Sequence, residues 1–167
     1  RLTSASELQS MREDRDAHYV LVADVDASGT AAWNDGKGFD PVGGSDAPFD
    51  GTLDGDGHTI SGLTVDRPGA EAVGLFGRLG DGGVVRGVRL ADATVAGESD
   101  VGGLVGLNDG GSVTHSTANA TVSGVDSVGG LVGHNARGTV TASMATGPVD
   151  ADTFVGGLVG SNVGGRG

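Results

Sequence analysis

The sequence predicts an all-β fold, a right-handed parallel β-helix (β-solenoid) with a short N-terminal capping helix, and three observations carry the prediction. First, Val101-Gly102-Gly103-Leu104-Val105-Gly106-Leu107-Asn108 returns as Val128 to Asn135 and again as Val155 to Asn162, 27 residues apart each time. Second, Ser116, Ala118, Ala120 and Val122 alternate with Thr117, Asn119, Thr121 and Ser123, the two-residue period of a half-buried strand, and no stretch between the glycine motifs keeps a helical period. Third, 34 glycines stand against 4 prolines with no strict three-residue spacing, which excludes collagen and assigns the glycines to turns or close backbone approach.

Taken in order, Ser4-Ala5-Ser6-Glu7 has the spacing of a capping box, and Leu8 and Met11 follow on one face, so a short helix is expected to begin near Ala5. An open solenoid end presents unpaired strand edges, and the helix is expected to lie over the first coil and cover them. Tyr19 to Ala23 reads as a strand. A glycine- and aspartate-rich excursion containing Trp33 and Phe39 follows. Residues 1–48 are thus read as an N-terminal cap and residues 49–167 as solenoid coils, entered through Phe49 to Ile60.

A degenerate copy of the motif stands at Val73-Gly74-Leu75-Phe76-Gly77. The segments between motifs align as well, Ser112-Val113-Thr114 with Thr139-Val140-Thr141 and Val122 with Val149. The repeat is therefore the whole unit of two or three short strands, and stacking units at about 4.8 Å per coil builds a shared core. Gly102-Gly103, Gly129-Gly130 and Gly156-Gly157 are expected at positive-φ corners, where a side chain would also strike the next coil. Asn108, Asn135 and Asn162 are expected at turns, in left-handed conformation, hydrogen-bonded as a ladder. No capping pattern follows the last copy, so a longer array or a self-stacking module is expected.

Acidic residues number 22 against 10 basic ones, only Lys37 among them a lysine, and the formal net charge is −12. Such a surface repels phosphate backbones and anionic membranes, so no nucleic acid is expected as a partner. Aspartate outnumbers glutamate 18 to 4. That composition suits a protein hydrated in concentrated salt, where a Debye length of roughly 3 Å at 1 M screens the carboxylates from one another. A halophilic source is expected. The absence of cysteine removes disulfides and thiolate chemistry, and no apolar run reaches the length of a membrane span.

The three Val-Gly-Gly-Leu-Val-Gly-Xaa-Asn copies resemble the GLUG repeat, and Tyr19 to Asp26 with Phe49-Asp50-Gly51 and Gly57 to Leu63 is similar to the region that leads into such repeats. The resemblance implies a repetitive surface or secreted protein of bacteria or archaea, found among adhesin-like proteins and beside the catalytic domain of immunoglobulin A metallopeptidases. It implies no catalysis by the repeat, and the metallopeptidase motif His-Glu-Xaa-Xaa-His is missing here.

Several clusters invite a chemical reading. Asp24-Val25-Asp26-Ala27-Ser28-Gly29 matches the opening of a calcium loop, with Asp24, Asp26 and Ser28 as oxygen ligands and Asp35 at the twelfth position. No other cofactor is expected. Asp54-Gly55-Asp56-Gly57-His58 could supply an acid and a base, yet its alternating glycines mark a tight turn in which aspartate bonds its own backbone. His115 aligns with Ala142, and His134 with Leu107 and Ser161, so neither position requires imidazole. Asn119-Ala120-Thr121 is an N-glycosylation triplet with Asn119 pointing outward.

The function expected is that of an extracellular or cell-surface structural or adhesive module, contacting a neighbouring surface protein or a glycan, with no catalytic residue assigned. Two alternatives accompany it. One is a carbohydrate-binding or carbohydrate-active β-helix with Trp33 and the Asp54 to His58 turn near its site. The other is a filament subunit that stacks through its uncapped C-terminal coil.

Overall fold

The structure, a computed structural model, describes residues 1–166; Gly167 lies outside the described residues. Every strand pairing inside the sheets is parallel, and the strands stack in four columns, so a coil has four short strands rather than two or three. The first column stacks His18–Val20, Thr52–Asp54, Val84–Arg86, Ser112–Thr114 and Thr139–Thr141. The second centres on Arg89–Ala96 and Thr117–Ser123. The third holds Glu71–Val73, Ser99–Gly102, Asp126–Gly129 and Thr153–Gly156, and the fourth Phe76–Leu79, Val105–Asp109, Val132–Ala136 and Val159–Val163.

The repeat alignment is the physical register. Val101 pairs with Val128 and Val128 with Val155, Val113 with Val140, and Val122 with Val149. The lower coil is longer than 27 residues, and part of its excess is taken up in Arg89–Ala96. There the pairing passes from Leu90–Ala118 to Ala93–Ala120, leaving two residues opposite Asn119, and Asp92 takes φ 52°. This is a β-bulge.

Because one face of each strand points inward, identical positions pile into continuous apolar columns. Leu53, Val85, Val113 and Val140 form one, Val73, Val101 and Val128 another, and Leu75, Leu104 and Leu131 a third, all buried. Phe39, Phe49 and Phe76 are fully buried near the N-terminal end, and Phe49 and Phe76 meet at 4.8 Å between ring centroids. Above them the core holds only Val, Leu and Ala among its apolar side chains. Each such buried Val or Leu side chain contributes about 1.5–3 kcal/mol.

Helix Ala5–Ser10 closes the N-terminal end. Ser4 caps it, its hydroxyl accepting from the Glu7 N–H, and Leu8 and Met11 are buried in the common core. Leu2 bridges to Leu21 in parallel, and His18–Val20 already pairs with Thr52–Asp54. Segment 1–48 therefore supplies the first rung of the stack as well as its cover. At the other end Met144, Phe154, Val155 and Val163 of the last coil are exposed.

The corners are not where the glycine pairs stand, and this corrects the expectation from sequence. Gly102, Gly103, Gly129, Gly130, Gly156 and Gly157 do not have positive φ. Left-handed backbone is found instead at Ala72, Asp100, Ser127 and Phe154 within the third-column strands, at Gly87, His115 and Ala142 after the first column, and at Gly110, Arg137 and Gly164 after the fourth. Gly102, Gly103, Gly129, Gly130 and Gly156 serve close approach instead. A Cβ at Gly102 would lie 2.7 Å from the Gly133 nitrogen and 2.8 Å from the Leu131 oxygen, and one at Gly129 would lie 2.7 Å from the Gly160 nitrogen. Gly106 and Gly133 complete the motif, for a Cβ at either would strike third-column backbone at Asp100 and Val73 or Val101. Two columns thus run backbone against backbone, which no side chain permits.

Candidate functional site

The asparagine ladder is formed, although not at left-handed turns. Asn108 and Asn135 lie inside fourth-column strands and are wholly buried. Asn108 Nδ2 donates to Asn135 Oδ1 at 2.9 Å, and Asn135 Nδ2 donates to Asn162 Oδ1 at 2.9 Å. The second proton of each amide goes to a backbone carbonyl three residues on, Gly111 at 3.2 Å and Gly138 at 3.1 Å. Glycine is required there, because a Cβ at Gly138 would lie 2.7 Å from Asn135 Oδ1. Below the ladder Leu79 pairs with Asn108, and Asn108 Oδ1 is left buried without a partner. The ladder is therefore interior, a directional staple rather than a binding stripe.

Outside, Asp109 joins Arg78 and Arg137, with Arg137 Nε at 3.1 Å, and these guanidinium hydrogen bonds, that of Arg137 first, hold its carboxyl below the usual range. His134 Nδ1 lies 3.3 Å from Asp100 Oδ1. Burial is the main cause raising the Asp100 pKa, and the charges of Asp126 and Glu71 push the same way, against His134.

The calcium spacing does not become a converging set. Asp24 Oδ1 accepts from the Thr59 N–H at 2.9 Å and contacts His58 Nδ1 at 3.3 Å, while Asp26 Oδ1 accepts from the Ser28 N–H at 2.9 Å. Ser28 opens a 3-10 helix, Asp35 sits in a second one with φ 57°, and Gly29 lacks the positive φ of a calcium loop's sharp turn. Among the described residues no three His, Cys, Asp or Glu side chains are grouped for a metal ion. Sequence spacing matched here because turns and calcium loops use the same oxygen-bearing residues.

Asp54 to His58 forms the expected turn. Asp54 Oδ1 accepts from the Asp56 N–H at 3.0 Å, and Asp54 Oδ2 meets Arg86 Nε at 2.9 Å. Trp33 is not in the same place. It lines a groove with Gln9, Arg12, Asn34 and Asp40, whereas Asp54 faces His18, Tyr19 and Arg86. The Trp33 groove shares Arg12 and Asp40 with a larger hollow of about 390 Å³ that reaches Arg15 and Arg67. Sequence reasoning missed these partners, because they come from three segments distant in the chain. Asn119 is exposed on its strand, as expected from alternation, and His18 is exposed at the start of the first strand.

Four columns of short parallel strands, a conserved register and an interior polar ladder define a parallel β-solenoid repeat protein. Residues 97–123 and 124–150 each match the GLUG motif, so the chain carries two GLUG repeats. Among its relatives, Halomucin of Haloquadratum walsbyi is 46% identical over 117 residues, 65% of this chain and 1% of that protein. A protein of Evansella cellulosilytica provisionally named a Gly-rich membrane protein is 35% identical over 98 residues, 56% of this chain and 11% of that one. The chain thus spans a small fraction of both. A crystal structure from Bacteroides ovatus, provisionally described as an immunoglobulin A1 protease, aligns over 97% of this chain and 73% of its own with a TM-score of 0.41 and 18% identity. That likeness is too distant to bear on function.

Proposed function

We propose that this chain is a non-catalytic spacer of a secreted or cell-surface protein, a stiff acidic rod segment that holds its neighbours apart. The observation that carries the reading is the continuous ladder of Asn108, Asn135 and Asn162, buried at its first two members, which joins successive coils by directional bonds that sliding or bending would break. Its outward positions, such as Thr117, Asn119 and Thr121, carry small polar side chains suited to hydration. The names of the relatives, a mucin-like term and a membrane protein, support a surface location. Among the described residues no helix is long and apolar enough to cross a membrane. Asp54, the best placed carboxylate of the tempting turn, is held by Arg86 and its own backbone turn rather than aimed into a cleft.

Inserting further copies of residues 124–150 tests the spacer. Small-angle scattering should show the longest dimension growing by about 4.8 Å per copy. A particle that unfolds or folds back on insertion would overturn the reading. So would release of reducing ends from a polysaccharide that is lost in Asp54→Asn. Asn119 is also proposed as a glycan acceptor, and intact mass of protein from its native host, before and after Asn119→Gln, checks it.

A further inference from the structure

The cap carries a groove that the spacer role does not use. Trp33, the only tryptophan of the chain, lies at one end of it, partly exposed. Its ring stacks on Phe39, with centroids 6.4 Å apart and planes 23° apart, and Phe39 is fully buried, so the indole is held in place. Asp40 forms the floor. Its carboxylate meets Arg12 Nη1 at 2.7 Å and Arg67 Nη2 at 3.6 Å. Its backbone is clamped from both sides by one amide, Gln9 Nε2 donating to the Asp40 carbonyl at 2.8 Å and the Asp40 N–H donating to Gln9 Oε1 at 2.9 Å. Asn34, at φ 53°, donates through Nδ2 to the Gly38 carbonyl at 2.8 Å, which fixes the loop that bears Trp33.

This is a pre-ordered arrangement: a partly exposed indole beside a paired guanidinium and carboxylate. In the larger hollow Arg12, Arg15 and Arg67 are balanced by Asp40, Asp46 and Glu71, so the lining is neutral on a chain of net charge −12. A neutral, hydroxyl-rich ring fits it. The apolar face of a pyranose covers an indole, and adjacent hydroxyls both donate and accept, as a paired Asp40 and Arg12 require. A ligand of either charge would meet a like charge beside the opposite one. The Trp33 groove, of about 310 Å³, is within the size range of small-molecule sites.

We propose that the cap groove binds a neutral saccharide, one hexose ring stacking on Trp33 and its hydroxyls bonding to Asp40, Arg12 and Asn34. The proposal stands apart from the spacer reading, whose insertion experiment is untouched by the result.

The test is titration of the whole chain with mannotriose, cellotriose and galactotriose, followed by Trp33 fluorescence and calorimetry. At least one trisaccharide should give a saturable change with a Kd of the order of 1 mM, typical of a shallow site. Arg12→Gln and Asp40→Asn should each weaken it about tenfold with thermal midpoints kept, and Trp33→Ala should abolish the heat of binding. Since Trp33→Ala also removes packing on Phe39, the exposed Arg12→Gln variant decides the matter. Absence of saturable change with all three sugars overturns the proposal, as does affinity unchanged in Arg12→Gln.

Discussion

Asn135 sits at the centre of the ladder, accepting from Asn108 and donating to Asn162 and to the Gly138 carbonyl. Removing it leaves a proton of the buried Asn108 amide without its acceptor, at a cost of about 1–3 kcal/mol, and opens a hole beside the Gly138 carbonyl, which keeps the Arg166 N–H. Asn135→Ala should therefore lose about 2–4 kcal/mol in denaturant unfolding. Asn108→Leu should stay within about 1 kcal/mol, because it removes an already unpartnered Oδ1, extends the apolar contact with Leu79, and merely moves the seam one layer up. Equal losses in the two variants would show that the ladder does not act through its bonds. The carboxylates divide by the sign of their shifts. Asp109 is depressed by Arg137 and Arg78, so its contribution is present above the unfolded carboxylate value near pH 4 and is lost as pH falls through its folded pKa. Asp100 is raised chiefly by burial, so its contribution is full below that unfolded value and is lost as pH rises through its folded pKa. At pH 7 Asp109→Asn should lower the melting temperature, and Asp100→Asn should hold or raise it. Thermal melts at pH 7 and pH 3 check both, the two variants converging on the parent at low pH.

At the scale of the element, the corner and the close approach are separate jobs. Ser127 has φ 54° and bears a Cβ where none is favoured, while Gly129 has no positive φ but touches the coil above. Ser127→Gly should be neutral or stabilising by up to about 1 kcal/mol, since left-handed strain is relieved against a small entropic cost. Gly129→Ala should be severely destabilising, because the backbone atoms of Val132 and Gly160 in its way cannot yield. The reverse order in chemical denaturation would restore the corner role to the glycine pair. The helix was legible in the sequence because capping and the Leu8 and Met11 face are local signals. The left-handed positions were not, because the corner after the first column is Gly87 in one coil and His115 and Ala142 in the next two, and Asp100, Ser127 and Phe154 within the third-column strands share no residue type: the stack imposes their conformation from above and below.

For the whole molecule, a net charge of −12 on a slender body means that self-repulsion opposes folding in dilute buffer. The melting temperature should rise steadily from 0.1 M to 3 M sodium chloride, with the steepest gain below about 1 M, where the Debye length shrinks fastest. A melting temperature independent of salt would show that the acidic surface serves solubility alone. By itself the sequence determined the parallel stack, its register and the residues of the ladder. Repetition at 27 residues places identical side chains above one another, and periodicity is a property that a chain displays without folding. Only the tertiary structure decided that a coil has four strands, that Gly102 and Gly129 serve backbone contact rather than turning, and that Trp33 meets Arg12 and Asp40 instead of Asp54. Those facts depend on which segments the closed coil brings within reach of one another, and a non-repeating lead-in holds no copy of itself from which its contacts could be read.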